Sequence, residues 1–200
     1  MTAKNITIAN PQGKASLAVF SDLQSFAPVN VHKKDIPRWL ADFFTSLLVL
    51  SAKFSFKPIT NREYYLYLDG SHWKLSLIEP DAWKNCPYIY FASCCLHEDK
   101  SWSISPLDQW EKNDLLLNRI NEIKQEFYNT LNSDESVHSL LPYYESTLNY
   151  YQRLAANGLA KSLKQSLDLQ LGLKISETTC GKQLINQTKF NKQSLLYSTN

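Results

Sequence analysis

The stretch YYLYLDGSHWKLSLIEPDAW, residues 64–83, decides the fold that this sequence predicts. Asp69-Gly70 is a dipeptide favoured in two-residue β-turns, and apolar side chains alternate with other side chains on both sides of it. The pattern therefore predicts a β-hairpin with strands over residues 64–68 and 71–78. A two-residue loop would place Leu66 opposite Trp73 and Tyr64 opposite Leu75, and these four residues form the predicted core face.

The opposite face of this hairpin is amphipathic. It consists of Tyr65, Tyr67, His72 and Lys74. Aromatic and cationic side chains interleaved on an open sheet are typical of proteins that stack the bases of single-stranded nucleic acids. The more common role of such residues is packing, either beneath helices or as cross-strand Tyr–Lys pairs. We favour packing, and we keep these four residues as the candidate binding site.

The segments on either side of the hairpin complete an α+β pattern. Asp35 followed by Pro37 is typical of a helix start, and apolar residues recur at helical spacing as far as Ala52. The other face of this helix carries Thr45 and Ser46 and should be polar. Two further strands are predicted over residues 88–96 and 101–105. We expect a four-stranded antiparallel β-meander, about residues 54–105, packed on this core helix.

The remainder of the chain predicts additional C-terminal helices. Residues 114–131 have apolar side chains at helical spacing, and a second helical region over 140–171 should be interrupted near Gly158. We expect one domain over residues 15–172, with a flexible leader before it (residues 1–14) and a polar, mobile tail after it (residues 173–200).

Composition restricts the classes of function. The net charge is only +2, which argues against a protein that mainly neutralises nucleic acid or an anionic membrane surface. The N-terminus lacks the apolar segment of a signal peptide, and no apolar run is long enough to span a bilayer. The four cysteines have no disulfide-rich spacing. We therefore predict a cytoplasmic protein that does not bind membranes.

Three separated motifs resemble an uncharacterised family, a domain-of-unknown-function group with bacterial members and a human chromosome-1 open-reading-frame product. They are Tyr64-Tyr65-Leu66-Tyr67, Leu75-Ser76-Leu77-Ile78-Glu79-Pro80-Asp81-Ala82-Trp83, and Leu96-x-x-Asp99-x-Ser101-Trp102. The resemblance covers about residues 54–102. It departs at Lys84, where the family has a glycine. The resemblance implies that the predicted sheet is a genuine structural unit. It implies no activity, cofactor or catalytic residue.

No catalytic or cofactor motif is present, so we predict no catalytic residues, no metal and no cofactor. Cys86, Cys94, Cys95 and His97 could be considered as metal ligands. However, Cys94 and Cys95 are neighbours on a predicted strand and should point to opposite faces, which divides the set. Buried, small apolar side chains are the better interpretation for these cysteines.

Charged residues outside the hairpin leave other possibilities open. Asp99 lies in the third motif, where we expect it to form an Asx turn. A basic set could form an anion-binding rim or simply surround the core helix in solvent, and it comprises Lys33, Lys34, Arg38, Lys53, Lys57 and Arg62.

We predict a non-enzymatic binding or interaction protein, with a protein partner as the first possibility. Single-stranded nucleic-acid binding through the outer sheet face is an alternative that we do not favour. A small enzyme is a third hypothesis. It requires a pocket between the sheet and the C-terminal helices, into which Asp99, His97 or His138 would converge.

Overall fold

A computed structural model describes residues 21–143, 147–187 and 195–196 of the 200-residue chain. The predicted leader, residues 1–14, lies outside the described residues. The strands are β1 (Glu63–Asp69), β2 (His72–Ser76), β3 (Ile89–Leu96) and β4 (Trp102–Pro106). After a helical segment at residues 21–25, the helices are α1 (Ile36–Leu50), α2 (Asp114–Leu131), α3 (Tyr150–Leu171), α4 (Leu173–Thr178) and α5 (Gly181–Gln187).

The strands form one antiparallel sheet, which confirms the predicted fold class. Their order is β2-β1-β3-β4, so β3 pairs with β1 and the prediction of a simple meander order is wrong. The connection between β2 and β3 explains the difference. It turns back at residues 80–83 and places Trp83 against Tyr67 on the outer face of β1, with ring centroids 5.3 Å apart. The chain thus crosses β1 before it enters β3.

The β1–β2 hairpin forms as predicted, but its register differs by two residues. Leu68 pairs with Trp73 and Leu66 pairs with Leu75, while Asp69 pairs with His72. The loop is therefore Gly70-Ser71 and not Asp69-Gly70. Gly70 has a positive φ of 58°, a conformation that glycine adopts without steric cost at the first position of a tight turn. A shift of two residues keeps every side chain on its predicted face.

The inner face of the sheet forms half of the hydrophobic core. Its largest fully buried side chains include Tyr64, Leu66, Trp73, Phe91 and Trp102. The β1–β3 register shifts between Leu66 and Tyr67, which pair with Ala92 and Tyr90 and leave Phe91 between two paired residues. Phe91 and Ala92 are both completely buried, so this β-bulge adds an extra aromatic ring to the core.

Helix α1 lies at the centre of the molecule. Its start is as predicted, since the Asp35 carboxylate accepts a hydrogen bond from the Arg38 backbone N–H at 2.9 Å. The predicted polar face, which also includes Arg38 and Asp42, is exposed at Arg38 but buried at Asp42, Thr45 and Ser46. The Thr45 hydroxyl donates to the Trp102 carbonyl at 2.7 Å, and the Ser46 hydroxyl accepts from the Trp102 N–H at 2.9 Å. These hydroxyl groups face inward because they bind backbone groups on the outer edge of β4, which is an edge strand.

Helix α3 packs against α1. The Trp39 indole N–H donates to the Leu163 carbonyl at 2.9 Å and ties the two helices together. The predicted interruption near Gly158 does not occur, because α3 is continuous through this residue. A Cβ atom at position 158 would lie 2.5 Å from the Phe26 carbonyl oxygen. Glycine therefore serves close packing here and does not end the helix.

The segment after α3 differs from the expected mobile tail. Residues 173–187 form α4 and α5, and Leu184 and Ile185 of α5 are buried. Gly181 begins α5 in close contact with the end of α2, since a Cβ there would lie 2.1 Å from the Leu131 carbonyl oxygen. The prediction of a mobile tail is therefore wrong for residues 173–187. Leu195 and Leu196 are also buried.

The outer edge of β2 is covered by backbone from another segment. The Lys53 N–H donates to the Trp73 carbonyl at 2.8 Å, and the Leu75 N–H donates to the Lys53 carbonyl at 3.1 Å. This single bridge runs parallel to β2. Lys53 follows directly from the end of α1, so the core helix and the edge strand are joined by a short connection.

Candidate binding cleft

The four predicted site residues share the outer face of the sheet. Tyr67 pairs with Lys74, Tyr65 pairs with Ser76, and His72 lies at the start of β2. Among the described residues, the helices that follow residue 150 have their main contacts with α1, with α2 and with one another, and not with the sheet. Trp83 and Tyr88 from the β2–β3 connection cover part of the outer face instead.

Tyr67 is packed beneath these aromatic rings. It is only 1 % exposed, and its ring lies 5.3 Å from that of Trp83 and 5.5 Å from that of Tyr90. Its hydroxyl donates to the Ile78 carbonyl at 2.9 Å. Burial raises the pKa of Tyr67 to about 12. A ring in this position has no free surface on which a nucleic-acid base could stack.

Lys74 also has its partners within the protein. Its ammonium group lies 4.4 Å from the Tyr88 ring centroid and 5.6 Å from that of Trp83, and it donates to the Tyr88 hydroxyl at 3.2 Å. The Tyr65 hydroxyl donates to the Glu63 carboxylate at 3.2 Å. These contacts are those of a packed cluster. The proposal that this face binds a ligand stays a prediction.

His72 is separate from that cluster. It is exposed beside the hairpin turn, and its Nδ1 lies 3.3 Å from the Ser71 hydroxyl. The structure therefore brings Tyr65, Tyr67 and Lys74 into one aromatic neighbourhood and leaves His72 at its margin.

The cysteines lie as the strand pattern predicted. Cys94 is buried on the inner face, whereas Cys95 is half-buried on the outer face opposite Glu63. Burial raises the pKa of the Cys94 thiol. All four cysteines are free thiols. Within residues 21–143, 147–187 and 195–196, no three His, Cys, Asp or Glu side chains are grouped so that they could hold a metal ion.

A polar cleft opens where the segment before α1 meets the end of β3 and the strand β4. Its volume is about 780 Å³. The lining includes charged groups of both signs and two histidines, among them His32, Lys34, Arg38, Asp42, His97 and Asp99. Clefts of this size are within the range of small-molecule sites. Sequence reasoning missed this cleft because its walls come from segments about residues 30 and 100, which no local pattern connects.

Lys34 lies at the base of the cleft between two carboxylates. Its ammonium group is 2.6 Å from an Asp42 oxygen and 2.6 Å from an Asp99 oxygen. All three side chains are largely buried, with exposed fractions of 12 %, 8 % and 13 %. Burial alone would lower the pKa of Lys34, but the two carboxylates raise it above its usual value. The ammonium group is therefore firmly charged, and it joins α1 to the β3–β4 turn.

Asp99 forms the Asx turn that the sequence predicted. Its Oδ1 accepts hydrogen bonds from the Ser101 N–H at 3.0 Å and from the Ser101 hydroxyl at 2.6 Å. Burial would raise the pKa of Asp99, but the charge of Lys34 and these hydrogen bonds lower it below its usual value. The Asp99 carboxylate thus stabilises the β3–β4 turn and also binds the Lys34 ammonium group.

The opposite wall is held by the neighbouring Glu98. The Val29 N–H donates to the Glu98 carbonyl at 3.0 Å, and the Asn30 amide donates to the Glu98 carboxylate at 2.8 Å. Together with the Lys34–Asp99 pair, these bonds fasten residues 29–34 to the β3–β4 turn. Bonds within the protein thus hold the walls of the cleft together.

His97 and Ser103 lie together on the outer-face side of the cleft. The His97 Nε2 and the Ser103 Oγ are 2.8 Å apart. Of the residues named in the enzyme hypothesis, Asp99 and His97 therefore line one pocket. His138 does not, since its Nε2 lies 3.7 Å from an Asp168 oxygen elsewhere in the fold. The cleft also differs from the expected position, because its walls are β3, β4 and the segment before α1.

Comparisons with known proteins add no family assignment. Neither the protein-family models, nor the curated proteins, nor the solved structures contain a match to this chain. The resemblance based on the three motifs therefore stays a prediction. In the part of the chain that the structure describes, none of the helices combines the length and apolar character needed to cross a membrane.

Proposed function

We propose that this chain is a binding protein that holds a small polar molecule in the cleft beside Lys34. The observation that supports this most is the fixed arrangement of buried charge at the base of the cleft, where Asp42, Lys34 and Asp99 are in direct contact. Preformed sites bind with a smaller loss of conformational entropy than sites that must be ordered by the ligand. A partner protein could insert a polar segment in the same place.

The charge pattern favours a zwitterionic ligand. Two carboxylates share one ammonium group at the base, which leaves an excess of negative charge that suits a ligand amine. Arg38 lines the same cleft and suits a ligand carboxylate, since its planar guanidinium can bind both oxygens. A free amino acid or a short peptide carries both of these groups. A multiply charged anion would be repelled by the carboxylates.

Ligand-observed NMR tests this proposal with mixtures of the common amino acids and a dipeptide such as dialanine. Acetate, butylamine and glucose serve as probes with one charge or none. We expect saturation transfer to one or more zwitterions and less to the three other probes. Ser105 lines the cleft on the exposed side of β4, and Ser105→Trp should block it. Ser71→Trp, in the exposed hairpin turn, is the matched control.

The proposal fails if no zwitterion gives a signal with the unmodified protein. It also fails if Ser105→Trp binds as well as Ser71→Trp, because the ligand would then be elsewhere. Preferential binding of acetate or butylamine would show that the cleft selects a single charge and would overturn the zwitterion assignment.

A hydrolytic enzyme is the second candidate, and one observation favours it. The 2.8 Å contact between the His97 Nε2 and the Ser103 Oγ is within the range in which histidine can accept the proton of a serine nucleophile. A fluorophosphonate probe should then label the protein at Ser103, and Ser103→Ala should abolish the labelling. Absence of labelling, or equal labelling of the variant, would count against this candidate.

Single-stranded nucleic acid is the alternative predicted from the outer sheet face. It requires steeply salt-dependent binding of short oligonucleotides that is lost in a Tyr65→Ala/Lys74→Ala variant. The internal partners of Tyr67 and Lys74 favour the cleft over this surface. We also propose a reducing compartment such as the cytoplasm, which the four free thiols support.

A further inference from the structure

A second cavity lies between α1 and α2, and none of its lining residues belongs to the polar cleft. Its volume is about 260 Å³. Three phenylalanines form its inner wall, with the ring of Phe127 in edge contact with Phe43 at 5.4 Å and with Phe44 at 5.3 Å. Leu47 and Ile123 line its sides and are only half-buried. The cavity is therefore apolar at its base and opens between the two helices.

The cavity is a recess between two helices that is partly open to solvent. At roughly 30 Å³ for each water in the liquid, the volume corresponds to about nine non-hydrogen atoms. Water gains few hydrogen bonds from aromatic and aliphatic walls. A small organic molecule would consequently fill this space better than water does.

The mouth of the cavity contributes the polar groups. The Arg119 Nη1 contacts the Glu122 carboxylate at 2.9 Å, and the Arg119 Nε is shielded from solvent with no hydrogen-bond acceptor. Arg119 is half-buried and its partner Glu122 is exposed, and such an i,i+3 pair constrains a side chain weakly, so the guanidinium can turn toward a ligand. Glu126 lines the same mouth.

A donor and a carboxylate at one opening select the polar group of the ligand. A hydroxyl group can accept from Arg119 and donate to Glu126 at the same time. A ligand carboxylate would face Glu122 and Glu126, and a ligand ammonium would face Arg119, so either charged form would meet a like charge at the mouth. We propose that the cavity between α1 and α2 binds a small uncharged molecule of the phenol class, with its ring among the phenylalanines and its hydroxyl between Arg119 and Glu126.

Binding of p-cresol, toluene, benzoate and benzylamine, measured by ligand-observed NMR and by the shift in unfolding temperature, tests the proposal. We expect p-cresol to bind about fivefold more tightly than toluene, which is the effect of one net hydrogen bond. Benzoate and benzylamine should bind more weakly than p-cresol. Equal affinity for p-cresol and toluene, tighter binding of either charged probe, or no binding at all would overturn the proposal.

Two variants test where p-cresol binds. Ile123→Trp should fill the cavity and abolish p-cresol binding, whereas Leu115→Trp, at a 62 % exposed position of the same helix, is the matched control. Arg119→Met should keep toluene binding and remove the preference for p-cresol. The Arg119 variant decides the outcome if Ile123→Trp fails to fold. Unchanged p-cresol affinity in Ile123→Trp, or an unchanged preference in Arg119→Met, would show that the assignment is wrong.

Discussion

Replacement of Lys34 by methionine should destabilise the protein strongly at neutral pH. The change removes the ammonium group that two largely buried carboxylates contact, at 2.6 Å in each case. Asp42 and Asp99 would then face each other without a cation. Removal of one partner from a buried ion pair costs about 3–5 kcal/mol, because the remaining charge stays desolvated. We expect about 3 kcal/mol, since the site opens to the cleft.

The size of this loss is measurable by chemical and thermal unfolding. For a chain of this length, about 3 kcal/mol corresponds to a decrease in the unfolding temperature of roughly 6–12 °C. The triple variant Lys34→Met/Asp42→Asn/Asp99→Asn removes the carboxylate charges as well. It should recover most of the lost stability, because an uncharged set of similar shape avoids the desolvation cost.

The pH dependence of the free energy of unfolding is an independent test of this ion-pair arrangement. In the unmodified protein the folded-state pKa of Asp99 is lowered, so its contribution is complete above about pH 3.9 and is lost as the pH falls through the folded-state value. The pKa of Lys34 is raised, so its contribution is complete below about pH 10.4 and is lost as the pH rises through the folded-state value.

In Lys34→Met the pKa of Asp99 should instead rise above the unfolded value, since burial and the nearby charge of Asp42 both favour the protonated form. The free energy of unfolding of the variant should then increase between pH 7 and pH 5. A loss below about 1 kcal/mol at pH 7 would refute the reasoning, because that is the size of an exposed ion pair. A triple variant no more stable than the single one would also refute it.

Three further predictions concern packing. Gly158→Ala should lower the free energy of unfolding by about 1–2 kcal/mol despite the helix propensity of alanine, because the new Cβ would lie 2.5 Å from the Phe26 carbonyl oxygen. Tyr67→Phe should cost about 1 kcal/mol, because the Ile78 carbonyl loses its donor, and urea unfolding would measure both changes. Under native conditions a thiol reagent should modify the half-buried cysteines and spare Cys94, as peptide mass spectrometry would show.

Control variants distinguish these specific effects from a general loss of stability on substitution. Asn157→Ala, beside Gly158 in α3, should change stability little and is the control for Gly158→Ala. Tyr143→Phe is the control for Tyr67→Phe, because Tyr143 is more exposed. A stabilising Gly158→Ala would contradict the close contact with the backbone. A Tyr67→Phe loss no larger than that of Tyr143→Phe would contradict the role of its hydroxyl. Equal modification of all four cysteines before denaturation would contradict the burial of Cys94.

Local patterns in the sequence were sufficient for the elements and for the faces of the sheet. The capping acid at Asp35, the periodicity of residues 114–131 and the alternation around Gly70 each depend on neighbours within a few residues. The strand order could not be predicted from such local patterns. It depends on how the β2–β3 connection carries Trp83 over Tyr67, and no local rule specifies that path.

The candidate cleft was even less accessible from the sequence. Asp99 was identified as a residue of interest in its turn, but its partner Lys34 lies 65 positions away. The basic set that contained Lys34 and Arg38 was dispersed along the chain, and a solvated surround was the more common interpretation of such a set. Thr45 and Ser46 were assigned to a polar face because helical spacing places them opposite the apolar residues. Their true partners are backbone groups of an edge strand, which a helical period cannot reveal.

The coverage of the two sheet edges also limits how this protein can assemble with others. On one side Lys53 occupies backbone groups of Trp73 and Leu75, and on the other side Thr45 and Ser46 occupy those of Trp102. An incoming strand from another chain would have to displace these bonds before it could extend the sheet. The same bonds oppose edge-to-edge aggregation. Strand addition at Trp73, Leu75 or Trp102 should therefore be disfavoured.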